Sequence, residues 1–158
     1  MLIQQVLRRL TQVITSEDDM LALGARLGRH SGRVGTIFLR GDLGAGKTTF
    51  VRGLLRGKGY GGTVKSPTYS LAVSYHLDTS VCYHLDLYRL QTGGDSDFPG
   101  LRDLLSEPAL TLIEWPECVS GWLLPDVGIQ ICYGVHVRHV TLQAHTEIGN
   151  NLLCGLSV

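Results

Sequence analysis

A three-layer α/β domain, with a mixed, partly parallel central sheet and antiparallel flanking strands, is the fold class this sequence predicts. Three observations carry it. The apolar run Thr36-Ile37-Phe38-Leu39 does not alternate, as expected of a central strand covered on both faces, and a glycine loop then leads into an amphipathic helical stretch. A second run of this buried type, residues 109–113, ends in Glu114. Two further pairs of β-rich segments, 70–75 with 81–87 and 127–133 with 137–144, are spaced as antiparallel partners. Buried parallel-type strands mixed with hairpins define a small α/β fold.

Each element has a local reason. Ser16 reads as a helix N-cap, and Glu17, Asp18 and Asp19 place negative charge in the first turn, where the helix dipole favours it. Met20, Leu23 and Leu27 follow at i, i+3 and i+7, so the helix runs to about Arg29 and ends at His30-Ser31-Gly32. After the strand at 36–39 and the loop at 41–46, a second helix runs from Lys47 to about Lys58. Phe50, Val51, Leu54 and Leu55 form its apolar stripe. His76-Leu77-Asp78-Thr79 joins the first hairpin. Residues 93–100, rich in Gly and Asp, read as an irregular stretch ahead of a short helix at 101–105.

Composition narrows the function. The 158 residues suit one domain spanning 1–158, and 14 Lys/Arg against 14 Asp/Glu give no net charge. A protein that grips nucleic acid by bulk charge needs a basic surplus, so that class is excluded. The neutral total hides a split: residues 1–79 carry eleven Lys/Arg and five Asp/Glu, or +6, and residues 80–158 carry three and nine, or −6. Glycine is in excess, 20 residues or about 13% against a usual ~7%, which predicts many tight turns. Cys82, Cys118, Cys132 and Cys154 form no CxxC pair, and Cys82 and Cys132 fall within strands as small buried hydrophobes. Reduced thiols imply a cytosolic protein. No apolar run approaches a membrane span, and the first ten residues lack the features of a signal peptide.

The chemistry centres on Gly41-Asp42-Leu43-Gly44-Ala45-Gly46-Lys47-Thr48, a full match to the P-loop pattern G-x-x-x-x-G-K-[ST]. Successive backbone N–H groups must turn inward around phosphate oxygens, and glycine tolerates both the φ values and the close approach. The positive end of the following helix adds to the same site. Leu43, Gly44, Ala45, Gly46, Lys47, Thr48 and Thr49 are therefore the expected nucleotide contacts, with Lys47 on the β- and γ-phosphates and the Thr48 hydroxyl on Mg²⁺. Glu114, at the end of a buried strand, reaches the edge where α/β sheets bind ligands and is the second candidate metal ligand. Period-two alternation puts His84, Asp86 and Tyr88 on one face, either a solvent face or a site face. Asp86 is the candidate for orienting an attacking water or joining the metal's outer shell. Ser66-Pro67-Thr68-Tyr69 is either a set of hydroxyls for sensing a γ-phosphate or an ordinary Pro-containing turn, and Trp115 either an aromatic face for a base or a packing ring.

GDLGAGKTTF at 41–50, SPTY at 66–69, YHLDLYRL at 83–90 and IEWPE at 113–117, in this order and spacing, resemble the bacterial TsaE family, from about Ile14 to Leu142. The resemblance implies a P-loop NTPase-like fold and a small Mg²⁺-dependent ATPase. It implies work with the proteins TsaB and TsaD in making threonylcarbamoyladenosine next to the anticodon of tRNA, tRNA being reached indirectly. It assigns Asp86 to hydrolysis, Thr68 to the switch, Thr48 and Glu114 to Mg²⁺, and brings Thr15 near the nucleotide. The acidic helix-forming stretch that members often carry after the YRL motif has no counterpart in residues 93–100.

Other P-loop readings fit less well. A small-molecule kinase usually needs several arginines over the transferred phosphoryl group, and after Lys65 there are only Arg89, Arg102 and Arg138. A GTP switch lacks an N-K-x-D element, since no lysine follows Lys65. A scaffold keeping nucleotide for stability alone would not need Lys47, Thr48, Asp86 and Glu114 together.

Overall fold

The computed structural model describes residues 7–92 and 100–156. In chain order the elements are β1 (Arg9–Ile14), α1 (Glu17–His30), β2 (Gly35–Arg40), α2 (Lys47–Gly57), β3 (Ala72–His76), β4 (Val81–Asp86), α3 (Tyr88–Thr92), α4 (Leu101–Leu105), β5 (Leu110–Glu114), a 3₁₀ turn at Pro116–Cys118, β6 (Val127–Tyr133), β7 (Arg138–Ala144) and α5 (Glu147–Cys154). The strands form one seven-stranded sheet in the order β1-β7-β6-β2-β5-β4-β3. β6, β2, β5 and β4 are parallel, while β7 and β3 pair antiparallel at the flanks and β1 pairs antiparallel with β7. The expected mixed sheet and both hairpins are present.

Both faces of β2 and β5 are covered, which is why their sequences lack alternation. Ile37 and Leu39 of β2 point into the larger core, with Leu23, Leu27, Phe50, Leu54 and Leu153 from α1, α2 and α5. Phe38 points the other way and packs with Leu85, Leu101, Ile113 and Val119. Three elements went unforeseen: β1, α3 and α5. α5 carries its own signal in Thr146, whose hydroxyl accepts from Gly149 N at 3.1 Å as an N-cap. The irregular stretch expected at 93–100 lies outside the described residues except for Gly100, which begins α4 at φ +85°.

The glycine excess serves more than turns. A Cβ on Gly24 or Gly28 of α1 would stand 2.3 and 2.1 Å from the carbonyl oxygens of Phe50 and Leu54 on α2. One on Gly53 or Gly57 of α2 would stand 2.3 and 2.2 Å from those of Leu21 and Ala25 on α1. The two backbones are in direct contact through four glycines at i, i+4 spacing, a reciprocal seam that no turn rule anticipates. A second correction concerns the cysteines. Cys82 is buried, and burial pushes its thiol up to about 12, but Cys132 is exposed on β6, so it is not a core residue.

Candidate functional site

Because β2, β4, β5 and β6 are parallel, their C-terminal ends open on one edge, and the glycine loop leaves β2 there. Gly41, Gly44 and Gly46 hold φ values of +159°, +77° and +116°, and a Cβ on Gly41 would stand 2.8 Å from Ile131 O. Gly46 caps α2 without any side chain to receive its first amides. Tyr133, the last residue of β6, donates its hydroxyl to Leu43 O at 2.7 Å and braces the loop. Sequence reasoning passed over Tyr133. The available signal was its place at the end of a strand neighbouring the loop.

Lys47 is buried, 5% exposed, and donates its ammonium to Gly41 O and, at 3.2 Å, to Asp42 O. Its Nζ also lies 4.3 Å from the centre of the Trp115 ring. Burial pushes the Lys47 pKa below its ordinary value, while the carboxylates of Glu114, Asp86, Asp42 and Glu117 pull it back up. Trp115 has left-handed backbone, φ 55°, which costs a non-glycine residue about 1–2 kcal/mol. The Tyr88 ring packs against the Trp115 ring, their centres 4.9 Å apart.

The register of β4 on β5 sets Asp86 opposite Glu114. Glu114 Oε1 accepts from Thr48 Oγ1 at 3.2 Å and lies 2.9 Å from His84 Nε2. Asp86 Oδ1 accepts from Tyr88 N and Oδ2 from Thr68 Oγ1, each at 3.0 Å. Ser66 and Thr68 share a hydrogen bond of 2.7 Å, and the Asp86 amide donates to Leu71 O, so the 66–71 loop is tied to Asp86 on both sides. His84 is 0% and Asp86 4% exposed, which settles the face they share as an interior one. Tyr88 does not continue that face, because it opens α3.

Two cavities meet at the loop. The smaller, about 250 Å³, is lined by Leu43 through Thr49 with Ser66, Thr68, Asp86, Glu114 and Trp115. The larger, about 400 Å³, is lined by Thr15, Glu17, Met20, Gly44, Ala45, Gly46, Thr49, His136 and Arg138 among others. Thr15 thus stands in the larger cavity, its hydroxyl donating to Asp19 Oδ2 at 2.8 Å. Trp115 does not: its ring faces Lys47 and Tyr88 rather than the larger cavity, because the left-handed turn after Glu114 throws it across the lysine. Arg138 does reach the larger cavity, its guanidinium over the Tyr133 ring at 4.2 Å. Arranged this way, amides and an ammonium gather positive charge beside two carboxylates and two hydroxyls, an arrangement suited to a polyanion carrying a hard cation.

A glycine loop between a central parallel strand and the covering helix that follows it defines a P-loop NTPase-like domain. Within that class the chain belongs to the TsaE family: the family described as "Threonylcarbamoyl adenosine biosynthesis protein TsaE" matches residues 14–144. The tRNA threonylcarbamoyladenosine biosynthesis protein TsaE of Haemophilus influenzae is 40% identical over 155 residues, covering 94% of this chain and 98% of that one. Its namesake in Bacillus subtilis is 35% identical over 121 residues, 73% of each chain. The crystal structure of Bacillus subtilis YdiB superposes with a TM-score of 0.73 over 96% of this chain and 95% of that one; at 24% identity the likeness is one of fold.

Proposed function

We propose that this chain binds ATP with Mg²⁺ and hydrolyses it as a component of tRNA threonylcarbamoyladenosine formation. In this reading it works with TsaB and TsaD in the cytoplasm and reaches tRNA through them. The observation that carries the proposal is the convergence of Lys47, Thr48, Thr68, Asp86 and Glu114 on one cavity. The relatives' shared part in threonylcarbamoyladenosine biosynthesis supports the pathway.

The residues fit both groups. The glycine loop leaves room for phosphate oxygens where side chains would intrude. Thr48 and Glu114 are hard oxygen donors within 3.2 Å of each other, the kind Mg²⁺ takes alongside phosphates. When bound, the cation would draw charge from the phosphate oxygens and orient them. Lys47 exchanges the carbonyls of Gly41 and Asp42 for phosphate oxygens and neutralises charge that grows during transfer. Asp86 keeps Oδ1 on the Tyr88 amide and uses Oδ2 to orient a water and receive its proton, with Thr68 steadying that oxygen. Thr15 and Arg138 flank the remainder of the nucleotide in the larger cavity.

Hydrolysis measured with and without TsaB and TsaD, comparing ATP with GTP, tests this. Slow turnover alone, a rise with the partners and a preference for ATP are expected. Rapid phosphorylation of a metabolite by the isolated chain would overturn the reading, as would calorimetry showing no heat with millimolar ATP and Mg²⁺.

A further inference from the structure

His84 is a buried polar side chain that the proposed hydrolysis does not use. Its relative exposure is 0%, Nε2 lies 2.9 Å from Glu114 Oε1, and Nδ1 has no hydrogen-bond partner among the described residues. A carboxylate oxygen only accepts, so Nε2 carries the hydrogen of that bond. A hydrogen on Nδ1 would be a buried donor with nothing to receive it, so the ring acts as a single-ended donor aimed at one oxygen. That oxygen also accepts from Thr48 Oγ1. The two donors come from different elements, His84 from β4 and Thr48 from the first turn of α2, and together they set the rotation of the Glu114 carboxylate. A buried histidine would normally use both nitrogens. Leaving one orphaned is tolerable where the other has a specific task.

We infer that His84 is a positioning residue for the cation: its Nε2–H holds Glu114 Oε1 so that the carboxylate meets a divalent metal already oriented. The inference rests on the nucleotide reading proposed above. Groups that hydrogen-bond a ligating carboxylate typically change metal affinity by about 10- to 100-fold when removed. The nucleotide's own contacts, made by the glycine loop and Lys47, lie elsewhere in the cavity and do not involve His84. Loss of His84 should therefore separate cation affinity from nucleotide affinity, which a merely structural role would not do.

The test uses Mn²⁺ as the probe, titrated by electron paramagnetic resonance into the full chain saturated with ADP, beside calorimetry of ADP in EDTA. Glutamine presents an amide N–H near the position of Nε2, whereas the shorter asparagine does not reach Glu114. His84→Asn is expected to weaken Mn²⁺ about tenfold or more while ADP affinity in EDTA stays within about twofold. His84→Gln is expected to hold Mn²⁺ nearly as the unchanged chain does. Unaltered Mn²⁺ affinity in His84→Asn, or an equal loss in both variants, would overturn the inference. Should His84→Asn fail to fold, His84→Gln decides alone: retention supports the assignment and a tenfold loss sinks it. A wild-type chain that binds no ADP even with metal removes the nucleotide reading and this inference together. Normal wild-type binding with indifferent variants removes only the inference.

Discussion

In the proposed reaction, Lys47 and Asp86 divide the work at the residue scale. Lys47 sits 5% exposed with its ammonium on loop carbonyls, and burial lowers its pKa. A polyanion would give charge-assisted hydrogen bonds to an ammonium held here by the carbonyls of Gly41 and Asp42. Lys47→Ala is therefore expected to weaken ATP about 10- to 100-fold, the scale of one or two lost charged hydrogen bonds, as read by calorimetry. Asp86→Asn isolates the other role. Its Oδ1 can still accept from Tyr88 N, and the Thr68 hydroxyl can accept from the new amide, so the fold is undisturbed. ATP binding should persist while hydrolysis falls on the order of 100-fold or more, since proton acceptance by a placed base is worth roughly 10²–10⁴. Unchanged turnover would strip Asp86 of its assignment. The phosphate loop was legible in eight contiguous residues. The partners of Glu114 were not, because Thr48 and His84 stand 66 and 30 residues from it along the chain.

At the scale of elements, the α1–α2 seam governs the larger cavity. α1 is capped by Ser16, beside Thr15, and its Met20 lies where a Cβ on Gly46 would meet it at 3.1 Å. The four glycines that let α1 touch α2 therefore also set how close Thr15 and Met20 stand to the phosphate loop. Gly28→Ala adds an intrinsic helix gain of about 1 kcal/mol but drives a methyl into Leu54 O. Overpacking of this kind costs typically 1–3 kcal/mol, and here the obstacle is backbone, so net destabilisation is expected. Urea unfolding should show it, with weaker ATP binding as α1 tilts away. Gly32→Ala, where a Cβ meets nothing within 4 Å among the described residues, should stay within about 0.5 kcal/mol of the parent. Equal effects at the two positions would refute the seam's role. α1 and α2 themselves were readable from their apolar stripes and the Ser16 cap. The seam was not, because glycine carries no hydrophobic signal and its meaning depends on what lies opposite.

For the whole molecule, the charge split along the chain becomes a charge meeting. Lys47 comes from the half carrying +6, while Asp86 and Glu114 come from the half carrying −6, and the parallel order β2-β5-β4 brings them together. A ligand clamped between the two halves should stabilise the entire fold. ATP with Mg²⁺ at 100 times its dissociation constant adds about 2.7 kcal/mol, which for a chain of this size raises the melting midpoint by roughly 5–10 °C. EDTA should reduce the rise in a scanning-fluorimetry trace, and a midpoint indifferent to both would contradict the clamp. Local spacing alone was enough to define the phosphate loop, the helical stripes, the hairpins and the buried strands, since each depends on backbone preferences within a few residues. The sheet decided which oxygen of Glu114 meets Thr48 and His84, that Tyr133 braces the loop, and that Trp115 covers Lys47. Those contacts join positions 30 to 90 residues apart, and only strand order and register bring such distant side chains within hydrogen-bonding distance.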